Sequence, residues 1–314
     1  MTREVRTVGV VGTGVIGASW AALCLSRGLD VLAHDPGPDA EHRLRQAVQD
    51  AWPTLTRLGL TAGASPDRLT FMTTAADAVA AADFVQESGP EAVSVKSALL
   101  AELDEATPAD VPIASSSSGL MPSRLQEMCA HHPERALVGH PFHPVHLIPL
   151  VEVVPGQAST PEPVDRVVDF YARLGKRPVV VRREVPGHLA NRLQAALWQE
   201  AYSLVEREVA TVADIDAAIS NGPGLRWALL GPLVNQHLSG GEGGLAHTLD
   251  HLGPPAQTWM DDLGRARLTP SLVELLVGGV DHELDGIDQH DLVAQRDELL
   301  IDLVRQKQQH PALP

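Results

Sequence analysis

Short apolar segments with the character of strands alternate with helical segments over residues 6–183. The strand candidates read RTVGVVG, LDVLAHD, DRLTFMT, ADFVQES, VPIASSS, RALVGHP, PLVEVVPG and RPVVVRR. Strands that alternate with helices form a parallel sheet covered on both faces. After residue 187 helical spacing continues without another strand pattern. We therefore predict a doubly wound α/β domain over residues 1–185 and an all-helical domain over residues 186–314.

The composition narrows the classes of protein to which the chain can belong. It has 314 residues, 44% of them hydrophobic and 20% charged, which is typical of a soluble globular protein. A formal charge of −16 argues against nucleic acid or an anionic membrane as a partner. The two cysteines form neither a disulfide framework nor a metal-binding motif. We expect a cytoplasmic protein that acts on a small molecule.

A glycine-rich loop follows the first predicted strand and opens the first predicted helix. In VGVVGTGVIG, the residues Gly12, Gly14 and Gly17 have the G-x-G-x-x-G spacing. The first glycine permits a tight turn, the second lets a pyrophosphate approach the backbone, and the third lets the helix pack on the strand. With Val15 and Ile16 at the helix N-terminus, the loop predicts a dinucleotide site in a Rossmann-type sheet.

An aspartate closes the second predicted strand, which ends VLAHD at Asp35. A carboxylate at this position accepts hydrogen bonds from the adenosine ribose and repels a 2′-phosphate. Asp35 therefore predicts NAD rather than NADP as the cofactor. The alternative is an aspartate that only begins the turn at Pro36.

The segment GHPFHPVHLIPLVEVV carries three histidines and places Glu152 within an apolar strand pattern. The histidines are His140, His143 and His146, but the prolines between them prevent the regular helix that would bring them to one face, so we predict no metal site. A buried carboxylate needs a partner. If the chain folds back so that Glu152 meets His140, the pair is a general acid/base. From these residues alone, a solvent-facing Glu152 stays an equal alternative.

Several segments together resemble the 3-hydroxyacyl-CoA dehydrogenase superfamily, over nearly the whole chain. Within it the chain is most similar to the L-carnitine dehydrogenases, and next to lambda-crystallin/L-gulonate 3-dehydrogenase. The segments that carry the resemblance are GVVGTGVIGASW, DFVQESGPEAVSVK, IASSSSGLMP, GHPFHPVHLIPLVEVV, VPGHLANRLQAALWQEA, GLRWALLGP and GGEGG.

The resemblance implies four catalytic residues. His140 would be the general acid/base and Glu152 the carboxylate that orients it. Ser118 and Asn191 would hydrogen-bond the substrate oxygens. In this scheme His140 takes the hydroxyl proton as a hydride leaves the carbon for NAD.

The resemblance also assigns cofactor and partner contacts. Glu91 and Lys96 would lie near the nicotinamide end of the cofactor, and Ser116 would also bind the cofactor. The C-terminal domain would contribute to substrate binding and form a homodimer. The partners expected are therefore a small 3-hydroxy or 3-keto acid and a second copy of the chain.

These observations favour an NAD-dependent dehydrogenase of a small, carnitine-like 3-hydroxy acid. The substrate stays open because His143 stands where the family commonly has asparagine. A 3-hydroxyacyl-CoA dehydrogenase, an L-gulonate 3-dehydrogenase and a biosynthetic (polyketide) β-ketoreductase are alternatives within the same chemistry. A non-catalytic NAD-binding structural protein is an alternative of another class. The presence of all four implied catalytic residues favours an enzyme.

Overall fold

The computed structural model describes residues 4–310 and 312–313. The chain divides into two compact units, Met1–Arg192 and Leu193–Pro314. Among the described residues, the first unit holds the sheet and the second consists of helices and their connections. The domain boundary predicted between residues 185 and 186, with a substrate and dimer role for the second domain, stays a prediction.

Eight strands form one sheet in the first unit. Its spatial order is β3-β2-β1-β4-β5-β6-β7-β8. Because β1 lies between β2 and β4, the chain order of the strands reverses there, which is where sheets of this kind bind their ligands. The strands are β1 Thr7–Val11, β2 Asp30–His34, β3 Leu69–Phe71, β4 Phe84–Glu87, β5 Ile113–Ser115, β6 Ala136–Pro141, β7 Leu150–Val154 and β8 Arg177–Val180.

One pair of neighbouring strands departs from the parallel sheet that the sequence predicts. Strands β1 to β6 are parallel to one another, whereas β7 runs antiparallel to β6. Strand β8 is again parallel to β7. The reason is the short connection over residues 142–149, since a parallel return needs a crossover of about a dozen residues or more.

Helices cover the sheet and make up the second unit. The first unit contains α1 Val15–Ser26, α2 Ala40–Leu58, α3 Ala75–Val79, α4 Val93–Ala106, α5 Pro122–Gln126 and α6 Pro161–Arg173. Helix α7, Ala190–Glu206, begins in the first unit and continues into the second. There follow α8 Val212–Ser220, α9 Pro223–Trp227, α10 Pro232–Ser239, α11 Gly244–Asp262, α12 Pro270–Glu283 and α13 Gln289–Gln309.

The core of the first unit lies on both faces of the sheet. Val10 of β1 belongs to an apolar cluster that includes Trp20 of α1 and Phe170 of α6. The next residue, Val11, belongs to a second cluster that includes Leu100 of α4. Successive side chains of a strand point to opposite faces, so both faces are covered by helices. The predicted doubly wound α/β sheet followed by a helical region is confirmed.

No helix in the described part of the chain has both the length and the apolar character that a membrane span requires.

A buried arginine holds the C-terminal end of α4. The Arg135 guanidinium, whose side chain is 2% exposed, donates to the Asp104 carboxylate at 3.1 Å and to the Asp104 carbonyl at 2.7 Å. It also donates to the carbonyls of Thr107, Pro108 and Val111, just beyond the helix end. Helix ends leave carbonyls without partners inside the helix, and this side chain donates to one of them, that of Asp104, and to the carbonyls of the segment that follows.

We expect Arg135→Met to lower the free energy of unfolding by about 3–5 kcal/mol, because it removes the counter-charge of a buried carboxylate and the donor to several carbonyls. The measurement is urea denaturation followed by circular dichroism. The matched control is Arg124→Met, which removes an exposed ion pair with Glu127 and should cost less than about 1 kcal/mol. Equal effects of the two substitutions would contradict the assignment.

Candidate active site

Four parallel strands end at one edge of the sheet and bring the predicted site residues there. The glycine-rich loop follows β1, residues 88–91 follow β4, residues 116–118 follow β5, and His140 lies near the end of β6. Because these strands are parallel, their carboxyl ends share an edge. The site is thus assembled from segments that are distant in sequence.

At two of its three glycines the glycine-rich loop leaves no room for a side chain. A Cβ added at Gly12, whose φ is 86°, would lie 2.6 Å from the Ser88 carbonyl carbon. A Cβ at Gly17 would lie 1.8 Å from the Gly12 carbonyl oxygen, whereas one at Gly14 would meet nothing within 4 Å. Gly14 is the N-cap of α1 and offers no side chain to the first amides of the helix. These amides form a cradle for an anionic group, which fits a dinucleotide pyrophosphate.

Asp35 is joined to this loop. One carboxylate oxygen accepts a hydrogen bond from the Thr13 amide at 2.7 Å, and the other accepts from the Gly37 amide at 2.8 Å. The carboxylate therefore lies directly beside the glycine-rich loop, as the prediction of a ribose contact requires.

The buried carboxylate of β7 faces the histidine of β6. In the antiparallel register His140 stands directly opposite Glu152, and their side chains meet with 2.8 Å between His140 Nδ1 and Glu152 Oε2. The second oxygen, Oε1, accepts from the amides of Leu189 and Ala190, at 2.8 Å each. Glu152 is 1% exposed and is neither solvent-facing nor unpaired.

These contacts fix the charge of Glu152 and the tautomer of His140. Burial opposes ionisation of Glu152, but the hydrogen bonds from His140, Ala190 and Leu189 outweigh it and hold its pKa below the ordinary value. An ionised carboxylate only accepts hydrogen bonds, so the proton of a neutral His140 is on Nδ1. The Nε2 lone pair is then available to take a proton from a ligand.

Glu91 organises the serine-rich turn after β5. Its Oε1 accepts from Ser117 Oγ at 2.7 Å and from the amides of Ser118 and Gly119 at 2.9 and 3.2 Å. Asn191 Nδ2 donates to the Ser118 carbonyl at 2.8 Å. Burial again opposes ionisation, and the contacts from Ser117 and the Lys96 ammonium outweigh it, so the pKa of Glu91 is lowered. The structure thus brings Glu91, Ser118 and Asn191 together.

Lys96 lies beneath this turn in a buried ion pair. Its Nζ donates to both carboxylate oxygens of Glu87, at 3.0 and 3.1 Å, and to the Gly89 carbonyl at 2.9 Å. Lys96 and Glu87 are 1% and 0% exposed, and Glu91 Oε2 is 3.7 Å from the same ammonium. Buried charges are tolerated when they are paired and hydrogen-bonded in this way. The cofactor contact that the resemblance implies for Lys96 stays a prediction.

Glu87 escaped the sequence analysis. The signal was nevertheless present, because the apolar strand pattern FVQE contains a carboxylate just as the Glu152 strand does. The Ser115 hydroxyl also donates to Glu87.

Ser116 is surrounded by protein groups. Its hydroxyl oxygen lies 3.2 Å from Trp20 Nε1, 2.9 Å from Gln86 Nε2 and 2.8 Å from Ser88 Oγ. A hydroxyl has two lone pairs and one proton, so these three contacts use its full capacity. The cofactor contact that the resemblance implies for Ser116 stays a prediction.

His188 is the second residue that the sequence analysis missed. Its φ is 52°, an uncommon value for a residue other than glycine, and its side chain is 0% exposed. Nε2 lies 3.2 Å from the Ser117 carbonyl oxygen, and the ring centroid lies 5.4 Å from that of His140. Nδ1 is buried without a hydrogen-bond partner. Its sequence context, VPGHLANR, offers no periodicity that would have drawn attention to it.

The other two histidines of the His140 segment lie apart from the His140–Glu152 pair. His146 Nδ1 is 2.7 Å from Ser19 Oγ, and His143 is exposed. Within residues 4–310 and 312–313, histidine, cysteine, aspartate and glutamate form no group of three or more placed to hold a metal ion.

Comparison with known proteins identifies the family. Residues 7–185 match the family described as "3-hydroxyacyl-CoA dehydrogenase, NAD binding domain", and residues 187–271 match its "C-terminal domain". An L-carnitine dehydrogenase of Streptomyces griseus is 52% identical over 302 residues, which cover 96% of this chain and 90% of that protein. An L-carnitine dehydrogenase of Bacillus cereus is 46% identical, with 96% and 92% coverage.

Two solved structures place the fold in the same family. A 5-formyl-3-hydroxy-2-methylpyridine 4-carboxylic acid 5-dehydrogenase, an NAD⁺-dependent dismutase, has a TM-score of 0.83 and 30% identity, covering 97% of this chain and 99% of that one. A 3-hydroxybutyryl-CoA dehydrogenase of Escherichia coli has a TM-score of 0.68 and 31% identity, covering 88% and 57%. The chain therefore belongs to the 3-hydroxyacyl-CoA dehydrogenase family, as an NAD-dependent dehydrogenase of 3-hydroxy acids.

Proposed function

We propose that the protein interconverts the 3-hydroxyl and 3-keto forms of a small 3-hydroxy acid, with L-carnitine as the first candidate. The observation that carries the proposal is the hydrogen bond between His140 and a buried, ionised Glu152 at the ligand edge of the sheet. The choice of L-carnitine rests on the names of relatives at 46–52% identity. A 3-hydroxyacyl-CoA, L-gulonate and the β-keto substrate of a biosynthetic ketoreductase stay as alternative substrates.

In this proposal His140 moves the proton and the surrounding groups hold it in place. When bound, NAD supplies the acceptor for the hydride that leaves the substrate carbon. His140 Nε2 takes the hydroxyl proton, and Glu152 stabilises the imidazolium that results. Ser118 and Asn191, joined by the hydrogen bond from the Asn191 amide, donate to the substrate oxygen. In the reverse direction His140 returns the proton.

The cofactor contacts follow the same reasoning. The amides at Gly14, Val15 and Ile16 would hold the pyrophosphate, and Asp35 would accept hydrogen bonds from the ribose, which favours NAD over NADP. Lys96 would act by holding Glu91 in place rather than by direct contact.

We also propose that His188 is a positioning residue. Its Nε2–H holds the Ser117 carbonyl, while the amides that follow it in the chain hold Glu152. Its ring packs beside His140. One residue thereby links the serine-rich turn to the acid/base pair. Because the His188 ring is neutral, it places no positive charge beside His140 that would disfavour protonation of His140.

The second unit is proposed to form the homodimer. Of its described apolar side chains only Leu272 and Ile301 are buried, whereas many large ones, such as Trp259 and Val277, are more than half exposed. Exposed apolar surface of this extent marks an interaction site. A second copy of the chain fits it, because it would bring an equally apolar surface.

The free, buried cysteines, Cys24 and Cys129, support a cytoplasmic location.

The function is tested with a panel of substrates and one active-site variant. We expect NADH formation, measured by its absorbance, with L-carnitine and less or none with 3-hydroxybutyrate, L-gulonate and 3-hydroxybutyryl-CoA. His140→Ala should lower turnover by about 100-fold or more and leave NAD affinity nearly unchanged. His131→Ala, an exposed histidine outside the site, is the control.

Tight NAD binding without turnover of any substrate would favour the non-catalytic alternative. Turnover of another member of the panel would keep the mechanism and replace L-carnitine. Equal loss of turnover and NAD affinity in His140→Ala would count against a catalytic role for this residue.

The charge state of His188 is tested by nitrogen-15 NMR of histidine-labelled protein. Burial lowers the pKa of His188, the neighbouring His140 acts in the same direction, and the hydrogen bond to Ser117 only partly opposes them. We expect the Nε2–H tautomer and, at any given pH near neutrality, a smaller charged fraction than that of an exposed histidine. The His188→Gln spectrum identifies the resonance.

The sign of the linked stability change follows from this lowered pKa. The unfolded chain binds more protons at residue 188 than the folded chain does, so the contribution of His188 to stability falls as pH drops through about 6.5. A neutral ring protonated on Nδ1 would refute the positioning role, because its Nε2 could not donate to the Ser117 carbonyl.

The oligomeric state is tested by analytical ultracentrifugation. We expect twice the mass of one chain, and we expect Val277→Glu to shift the protein towards monomer because it places a charge in the apolar surface. Met128→Glu is the matched control, since Met128 is similarly exposed but lies in the first unit. A monomeric wild-type protein would contradict the dimer.

A further inference from the structure

A directed series of hydrogen bonds runs beneath the glycine-rich loop. The Tyr171 hydroxyl donates to Gln86 Oε1 at 2.7 Å, and Gln86 Nε2 donates to the Ala114 carbonyl at 3.1 Å. A carbonyl only accepts hydrogen bonds, so the orientation of the Gln86 amide is determined. Gln86 Nε2 is therefore also the donor to Ser116 Oγ, at 2.9 Å.

This orientation determines where the proton of Ser116 lies. Ser116 Oγ accepts from Gln86 and from the indole of Trp20, which can only donate. Both lone pairs are then in use. The remaining contact, 2.8 Å to Ser88 Oγ, must be a donation from Ser116 to Ser88. Ser88 accepts this bond and keeps its own proton, for which the described residues provide no acceptor.

Ser88 lies where a dinucleotide would approach. It follows β4 directly, is only half-buried, and its amide donates to the Val11 carbonyl at 2.7 Å. A Cβ at Gly12 would collide with the Ser88 backbone, and one at Gly17 would lie 3.3 Å from the Ser88 Cβ. The Ser88 side chain therefore stands beside the loop and the first turn of α1 that form the anion cradle.

We propose that the Ser88 hydroxyl donates a hydrogen bond to an acceptor oxygen of the bound NAD, from either a ribose or the pyrophosphate. Ser116, for which the family resemblance implies a cofactor contact, then orients the Ser88 hydroxyl by donating a hydrogen bond to it. The inference rests on NAD as the cofactor and is independent of the identity of the substrate. It assigns to the end of β4 a binding role that the glycine motif does not include.

The test is calorimetric titration of NAD into the full-length protein without substrate. We expect Ser88→Ala to raise the dissociation constant about tenfold, the effect of losing one good hydrogen bond. Ser116→Ala should cause a smaller loss, because Ser88 keeps its own proton. Tyr171→Phe is the control at the far end of the series: it removes one donor to Gln86 and should change NAD affinity less than about twofold.

The variants separate the two serines. An unchanged NAD affinity in Ser88→Ala would overturn the inference. A larger loss of NAD affinity in Ser116→Ala than in Ser88→Ala would also overturn it, and would assign the cofactor contact to Ser116. Thermal melting of each variant without NAD reports whether folding is intact. Failure of the wild-type protein to bind NAD would refute the cofactor assignment itself, whereas the ratio between variant and wild type tests Ser88 alone.

Discussion

The active site depends on the register between two antiparallel strands. Because His140 stands opposite Glu152 in the pairing of β6 with β7, a carboxylate can be buried in an apolar sheet and remain ionised. A shift of one residue would turn Glu152 to the other face of the sheet and leave both groups without partners. The amides of Leu189 and Ala190 then complete the coordination of the carboxylate. The chemistry of the histidine is thus set by strand pairing, and strand pairing by the short connection between the two strands.

Local patterns were sufficient for much of the fold and for part of the site. The glycine spacing between a strand and a helix describes one continuous segment, so the sequence contains nearly all the information needed to recognise it. Glu152 was recognisable because a carboxylate in a buried strand requires a partner. The sequence offered the fold-back that pairs Glu152 with His140 only as one of two alternatives, because an apolar strand pattern is the same in both directions. The roles assigned to Ser118 and Asn191 came from family resemblance rather than from any pattern of their own.

The residues that escaped sequence analysis owe their roles to neighbours far away in the chain. Glu87 became interpretable only when its pairing with Lys96 was visible. His188 depends on an unusual backbone conformation and on complete burial, neither of which leaves a periodic trace. The direction of the hydrogen bond from Ser116 to Ser88 is set by an indole and an amide from other elements. The roles of these residues arise from the packing of distant segments, so they become visible only in the three-dimensional structure.

Helix α7 has a consequence for how separable the protein is. Leu189, which precedes the helix, and its first residues, Ala190 and Asn191, hydrogen-bond Glu152 and the serine-rich turn, yet most of the helix belongs to the second unit. A fragment that ended at the last strand would contain the whole sheet. Its buried Glu152 carboxylate would lack the two amides that donate hydrogen bonds to it. A fragment that ends at the last strand therefore lacks part of the site, and any recombination of this fold with a different C-terminal region has to keep the start of α7 with the sheet.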